Sequence, residues 1–318
     1  MKIAILDDYQ DVVRGLDCFS MLDGHEVKVF NNRAIGLGQL AIRLQQFEAL
    51  VLIGERSVFT RALLSKLPRL KLISQTGSVS GNIDLEAAEE LGITVLEGLG
   101  DPTAPAELAW ALIMASSRKI PQYSSFLQDG VWQMASLRPQ YNQLGRVLKD
   151  RQLGIWGYGN IGKLVAAYAR AFGMRVMIWG SEKSREQALN DGLLVAKSKH
   201  DFFSSSDIVS LHLRLQSETR HIVQLEDLLC MKTDSLLVNI SRAALIAPDA
   251  LARALEQGRP GWAALDVFEN EPLTADYPLR GKENVLLTPH LGDVEKDSYE
   301  RYFQAAFQNI LNFSASLK

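Results

Sequence analysis

Cysteine is scarce in this chain, with two residues, Cys18 and Cys230, among 318. Two thiols supply neither a disulfide framework nor a zinc cluster, so the chain reads as a cytoplasmic protein without a structural metal. Long hydrophobic runs are absent too, and no segment approaches the roughly 20 apolar residues that a membrane helix needs. The opening "MKIAILDDYQ" holds one lysine and a short apolar run closed by Asp7 and Asp8. That run is too brief for a signal-peptide core and reads as a first strand. There is also no excess of one charge: 34 basic and 37 acidic residues leave a formal net charge of −3, which excludes a protein that coats nucleic acid. With 47% hydrophobic and 22% charged residues the chain is not a disordered one either.

What remains is a globular chain long enough for two domains of about 150 residues. Short apolar runs recur in its first third, "KIAIL", "EVKVF", "ALVLIG", "LKLIS" and "ITVLE", with helix-like stretches such as "LGQLAIRLQQF" and "TRALLSKL" among them. A second series runs through "LGIWGYG", "RVMIWG", "DIVSLHL", "SLLVNIS", "WAALDVF" and "NVLLTP". Strands alternating with helices predict parallel sheets covered on both faces, so two α/β units stand in tandem. The Gly- and Pro-rich "EGLGDPTAP" links them and leads into a helix over "AELAWALIMASSRKI". At the C-terminus Tyr302, Phe303, Ala306, Phe307, Ile310 and Leu311 form a helical stripe.

The second series opens on "IWGYGNIG". Gly157, Gly159 and Gly162 follow an apolar strand and precede the helix-like "KLVAAYARAFG", the context in which this spacing binds a dinucleotide. The first glycine permits a tight turn, the second lets backbone approach a diphosphate, and the third allows helix to pack on strand. Asn160 and Ile161 open the helix whose N-terminus would face the anion. The alternative is a tight crossover with no ligand. The next strand, "MRVMIW", ends at Gly180 and Ser181 rather than at the carboxylate that usually meets the adenosine ribose, although Glu182 is adjacent. Ser181, Lys183 and Arg185 suit a 2′-phosphate, which tilts the NAD(P) expectation modestly toward NADP; as an alternative, Lys183 and Arg185 are ordinary solvated charges.

Candidate chemistry follows later strands: Arg242 in "VNISRAALI", Asp266 and Glu271 in "AALDVFENEPL", and His290 in "LLTPHLGDV". Ligands of open α/β sheets bind beyond the carboxyl ends of strands, so these residues are expected to converge. A guanidinium grips carbonyl and carboxylate oxygens in one plane. An imidazole titrates near neutral pH, and a neighbouring carboxylate favours its charged form. Singly, the arginine often reads as a surface ion-pair partner and the histidine more often as a structural one.

In their joint order these motifs resemble the D-isomer-specific 2-hydroxyacid dehydrogenase family over nearly the whole chain. "TGSVSGNIDLEAA" is similar to its substrate-carboxylate loop, "AELAWALIMA" to its long helix, and the segments at Arg242, Glu271 and His290 to its catalytic Arg, Glu and His. The resemblance implies two doubly wound parallel-sheet domains, one flavodoxin-like and one Rossmann, with an active-site cleft between them. The substrate domain would be discontinuous, 1–100 and 295–318, and the cofactor domain 101–294, with the helix near 104–118 forming a homodimer. Gly77, Ser78, Val79 and Ser80 would offer N–H groups to the substrate carboxylate, Arg56 would approach it, and Asp266 would contact the nicotinamide carboxamide. The implied activity is hydride transfer between NAD(P) and a small 2-oxo or D-2-hydroxy acid, with no nucleic-acid or membrane partner.

Two rivals are a cofactor-sensing protein resembling corepressors on this fold and an enzyme resembling formate dehydrogenase, in which glutamine usually partners the histidine. With the terminal stripe close to the last residue, no regulatory domain of the kind carried by some phosphoglycerate dehydrogenases is expected. Departures from the family pattern are Ala243 with "IAPDA", Arg214 for a frequent proline, and Gly292-Asp293 after the histidine; they bear on pocket shape. His25, His200, His212 and His221 read as structural or exposed.

Overall fold

The computed structural model describes residues 1–79, 81–133 and 144–317. The chain divides into two compact units, Met1–Asp101 with Val294–Lys318, and Pro102–Asp293. Both are parallel sheets wound with helices.

The first unit carries β1 (Lys2–Ile5), β2 (Glu26–Val29), β3 (Ala49–Ile53), β4 (Leu72–Thr76) and β5 (Thr94–Glu97), all parallel in the order β2-β1-β3-β4-β5. This is the flavodoxin-like order. Because side chains alternate along a strand, Ile3 and Ile5 face one core with Val51, Leu72, Phe303 and Phe307, while Ala4 and Leu6 face the other with Leu50, Leu52 and Ile73. The first core is closed by the terminal helix Lys296–Ser316, which buries Tyr299, Tyr302, Phe303, Ala306, Phe307 and Ile310. Glu295 starts that helix, its carboxylate accepting from Asp297 N at 2.8 Å and Ser298 N at 2.5 Å. Burying each such aromatic stabilises by roughly 1.5–3 kcal/mol, so the last residues of the chain complete the fold of the first.

The second unit carries β6 (Gln152–Trp156), β7 (Arg175–Trp179), β8 (Leu194–Val195), β9 (Ile208–Leu211), β10 (Leu236–Asn239), β11 (Trp262–Leu265) and β12 (Val285–Leu287). The parallel order is β12-β11-β10-β9-β6-β7-β8. Winding reverses between β6 and β9, the position where a Rossmann sheet opens a ligand crevice. Leu153, Ile155, Ile178 and Val238 face one core with Ala109 and Val165, and Trp156, Leu211, Leu237 and Leu265 face the other with Phe202 and Phe203.

One local feature differs from the sequence expectation and two others had no sequence expectation. Strand β8 has two residues, too few for any alternation to show. The stretch "AELAWALIMASSRKI" is not one helix: Thr103–Arg118 stops where Lys119 turns left-handed at φ 55°, and a second helix, Ile120–Gln128, follows with proline in its first turn. Residues Val13–Gly15 and Asp17–Leu22 form 3₁₀ turns.

Gly154 in the middle of β6 is demanded by packing. A Cβ there would lie 2.4 Å from Ser206 Oγ and 2.8 Å from a Phe202 ring carbon. Overpacking of this kind costs about 1–3 kcal/mol. Gly154→Ala is therefore expected to lower the unfolding free energy by about that amount in urea titration, and an unshifted midpoint would show that Ser206 and Phe202 yield without cost.

Candidate active site

The glycine loop runs from the end of β6 into the helix Asn160–Ala171. Its three glycines have different reasons to be glycine. Gly157 sits at φ +102°, and a Cβ there would be 2.7 Å from His212 O; at Gly162 a Cβ would lie 2.2 Å from Gly157 O. Both are fixed by the protein's own backbone. A Cβ at Gly159 would meet nothing within 4 Å, so internal packing does not account for that glycine. Gly159 is also the N-cap of the helix and offers no side-chain cap, which leaves first-turn N–H groups, including those of Asn160 and Ile161, for an external acceptor. The geometry fits the diphosphate of a dinucleotide.

At the end of β7, Ser181 caps the helix Glu182–Asn190, its Oγ accepting from Ser184 N at 3.3 Å. Arg185 lies over the Trp179 ring at 5.1 Å, and its Nε is buried without a hydrogen-bond partner. Lys183 is exposed. His212, half-buried behind the glycine loop, pairs its Nε2 with Ser210 Oγ at 2.8 Å, and desolvation of its ring pushes its pKa down to about 4. It is a neutral structural histidine.

Beyond β10, β11 and β12 the structure brings Arg242, Glu271 and His290 together. His290 Nδ1 and Glu271 Oε2 are 2.7 Å apart, and Glu271 Oε1 accepts from Phe268 N at 2.9 Å. Burial alone would push the His290 pKa down, but the bond to Glu271, that residue's charge and the charge of Asp266 outweigh it and raise the value above 6.5. Glu271 is the mirror case: burial would raise it, while His290, the Phe268 N–H and Arg242 together bring it below 4.5. Arg242 is close enough to stabilise that carboxylate and to oppose protonation of His290.

Two residues that the sequence reading did not use in this way hold the group in place. Asp266 has no accessible surface. Its Oδ1 accepts from Thr288 Oγ1 at 2.6 Å and Leu291 N at 2.8 Å, and its Oδ2 from Gly292 N at 3.0 Å. These bonds grip the turn on both sides of His290, which sits in the left-handed region at φ 52°, a conformation that a non-glycine residue adopts at a cost of about 1 kcal/mol or more. Asp266, expected at the nicotinamide, thus has its oxygens engaged in holding this turn. Asn239, which ends β10, was missed altogether; its Nδ2 donates to Arg242 O at 2.9 Å and its Oδ1 accepts from Ser241 N at 3.0 Å. The visible signal was a polar residue closing the buried strand "LLVN".

In the first unit, Arg56 follows β3, its Nη1 donating to Asp7 O at 2.6 Å and its Nη2 to Tyr299 OH at 3.0 Å. Gly77, at φ +76°, Ser78 and Val79 follow β4. The N–H of Val79, expected to be open to a substrate, donates to Glu97 Oε1 at 2.7 Å. Ser80 lies outside the described residues.

Residues 110–292 match the model of the D-isomer specific 2-hydroxyacid dehydrogenase NAD binding domain. The chain belongs to this family. It is similar to a glyoxylate reductase of Aeropyrum pernix, 39% identical over 79% of this chain and 76% of that protein. A D-3-phosphoglycerate dehydrogenase of Methanocaldococcus jannaschii is 35% identical over 80% of this chain and 47% of its own length. The solved phosphoglycerate oxidoreductase of Vibrio cholerae superposes with a TM-score of 0.95 at 53% identity, covering 99% of each chain. As a family member the chain is a nicotinamide-dependent oxidoreductase of 2-hydroxy acids. Among the described residues, no helix is long and apolar enough to cross a membrane, and no group of His, Cys, Asp and Glu could hold a metal ion.

Two tests follow from this geometry. Because His290 binds its proton more tightly in the folded state, its contribution to stability is full below about 6.5 and is lost as pH rises through the folded value. Glu271, with a lowered pKa, contributes above 4.5 and loses that contribution as pH falls through its folded value. The pair contributes most between those limits. Glu271→Gln should therefore lower the His290 pKa followed by ring NMR and should destabilise more at pH 5.5 than at pH 9; an unmoved titration would deny the coupling. Separately, Gly159→Ala should leave the thermal midpoint of the ligand-free protein unchanged and weaken NADH binding about tenfold by calorimetry. Equal affinity would mean that no ligand lies against Gly159.

Proposed function

We propose that the chain reduces a small 2-oxo acid to the D-2-hydroxy acid, with Arg242, Glu271 and His290 as its reacting group. The observation that carries this reading is the 2.7 Å contact of His290 Nδ1 with Glu271, made beside a guanidinium. A bound reduced nicotinamide supplies the hydride. Arg242 holds the carbonyl and carboxylate oxygens of the substrate coplanar and polarises the carbonyl. As the carbonyl carbon gains hydride, its oxygen gains charge, and His290 delivers the Nε2 proton to it. Glu271 keeps Nδ1–H engaged, which fixes the ring and stabilises the imidazolium before transfer. Asp266 and Asn239 position the turns that carry His290 and Arg242. In the oxidative direction the neutral imidazole accepts the same proton.

For the cofactor, the diphosphate is assigned to the turn Gly157, Gly159, Asn160, Ile161 and Gly162. Ser181, Lys183 and Arg185, with no carboxylate in the usual ribose position, support use of NADPH as well as NADH, with a modest preference for NADPH. The buried, unpartnered Arg185 Nε is one more donor at that strand end. The substrate carboxylate is assigned to the N–H groups of Gly77, Ser78 and Val79. The pairing of acid and imidazole within this chain favours turnover over cofactor sensing.

Steady-state reduction of a panel of 2-oxo acids with each dinucleotide tests the reading. His290→Ala should lower kcat by about 100-fold or more, the scale of a lost general acid, and Arg242→Ala should abolish measurable turnover while NADPH still binds. The rate of reduction should fall as pH rises through the elevated His290 pKa. Dinucleotide binding without turnover of any acid would replace this reading with a sensing role.

A further inference from the structure

Glu97 is the last residue of β5, and the sequence gives no sign that it matters. Its position is nevertheless fixed from two sides. A Cβ at the next residue, Gly98, would lie 2.8 Å from both Gln75 O and Gly77 N, so only glycine lets the end of β5 press against the loop after β4. From the other side Asn309 Nδ2 donates to Glu97 O at 3.1 Å.

The loop itself is held from beneath. Gln75, with no accessible surface, donates from Nε2 to Ser78 O at 2.7 Å and accepts from Asn82 Nδ2 at 2.8 Å. Gly77 O accepts from Gly98 N at 2.9 Å. With these two carbonyls tied down, the N–H of Val79 meets a carboxylate, that of Glu97, at 2.7 Å. A backbone N–H donating to a carboxylate is a charge-assisted bond, and the loop thus already binds the functional group assigned to it, supplied by the protein.

We propose that Glu97 is a specificity-determining residue that competes for the substrate-carboxylate site and selects unphosphorylated, singly charged 2-oxo acids over phosphorylated ones. The proposal rests on the functional reading given above. A substrate carboxylate that takes the Val79 N–H must displace Glu97 Oε1, and the displaced carboxylate, tethered at the end of β5, remains beside the bound anion. For a monoanion this raises KM. For a phosphorylated acid the additional charge of nearly −2 is repelled as well, and like-charge juxtaposition is a strong means of rejecting a ligand. The neighbouring strand ends add to the effect. Glu55 follows β3, and beside it Arg56 directs its Nη groups to Asp7 O and Tyr299 OH.

The test compares hydroxypyruvate with its 3-phosphorylated counterpart in the wild type, Glu97→Gln and Glu97→Asp, by steady-state kinetics. The wild type should favour the unphosphorylated acid by tenfold or more in kcat/KM. Glu97→Gln should raise kcat/KM for the phosphorylated acid about tenfold, and lower KM for hydroxypyruvate about threefold. Glu97→Asp, which withdraws the carboxylate by one methylene but keeps its charge, should lower KM for hydroxypyruvate while still rejecting the phosphorylated acid. A wild type that prefers the phosphorylated acid, or a selectivity ratio unchanged in Glu97→Gln, overturns the proposal and leaves the proposed reaction standing. Turnover of no 2-oxo acid at all overturns both.

Discussion

A carboxylate without access to water holds in place the turn that carries His290. Leaving Asp266 buried and unpartnered would be prohibitive, and three donors, Thr288 Oγ1, Leu291 N and Gly292 N, compensate it. All three belong to one short turn, and His290 lies between them in the sequence. The turn therefore cannot relax without exposing or orphaning the charge, and His290 is kept in a left-handed conformation that its own side chain disfavours. With the backbone so constrained, the ring meets Glu271 at 2.7 Å. Burial still raises the pKa of Asp266 despite its hydrogen bonds, and the same buried charge helps to raise that of His290. Position and protonation thus share one cause.

The glycine loop separates the two kinds of constraint that a motif can carry. Gly157 and Gly162 are required by protein atoms, so the fold alone would preserve them. Gly159 touches no protein atom that a methyl group would strike, and an occupant outside the chain would give it a reason. A three-glycine pattern read as a single signal merges these, whereas the contacts assign the turn to two residues and leave the third to the cofactor proposed above. Ser181 shows the converse. It stands where a ribose contact was expected, and it also caps a helix, so its presence is explained without any ligand.

Most of the architecture was legible because buried parallel strands are short, apolar and separated by amphipathic stretches; eleven of the twelve strands fall on runs visible in the sequence. The two-residue β8 was invisible because pairing with a longer neighbour, not its own pattern, makes it a strand. The helix expected near 104–118 ends at Arg118, but the second helix beyond Lys119 was not read. At the site, Arg242, Glu271 and His290 were legible by residue type and order, each lying beyond a strand. Asn239, the anchoring work of Asp266 and the contact of Glu97 with Val79 were not. Each depends on a hydrogen bond to backbone distant in sequence or on a side-chain direction, neither of which leaves a periodic trace.

That difference has a consequence for how one fold serves several acids. The groups proposed to take the common part of the substrate are backbone N–H donors and a guanidinium, held by buried partners such as Gln75, Asn82 and Asn239, whose loss would disturb the loop or turn each one supports. Glu97 is different in kind. Its backbone is fixed by Gly98 and Asn309, but its carboxylate is exposed and, among the described residues, accepts from the Val79 N–H. A side chain at this position can change in charge or length with little cost to the fold, since surface replacements of this type usually shift stability by less than about 0.5 kcal/mol. Discrimination among substrates that share a 2-oxo acid head can therefore reside in a residue outside the catalytic group, at a strand end where the sheet fixes position and leaves chemistry open.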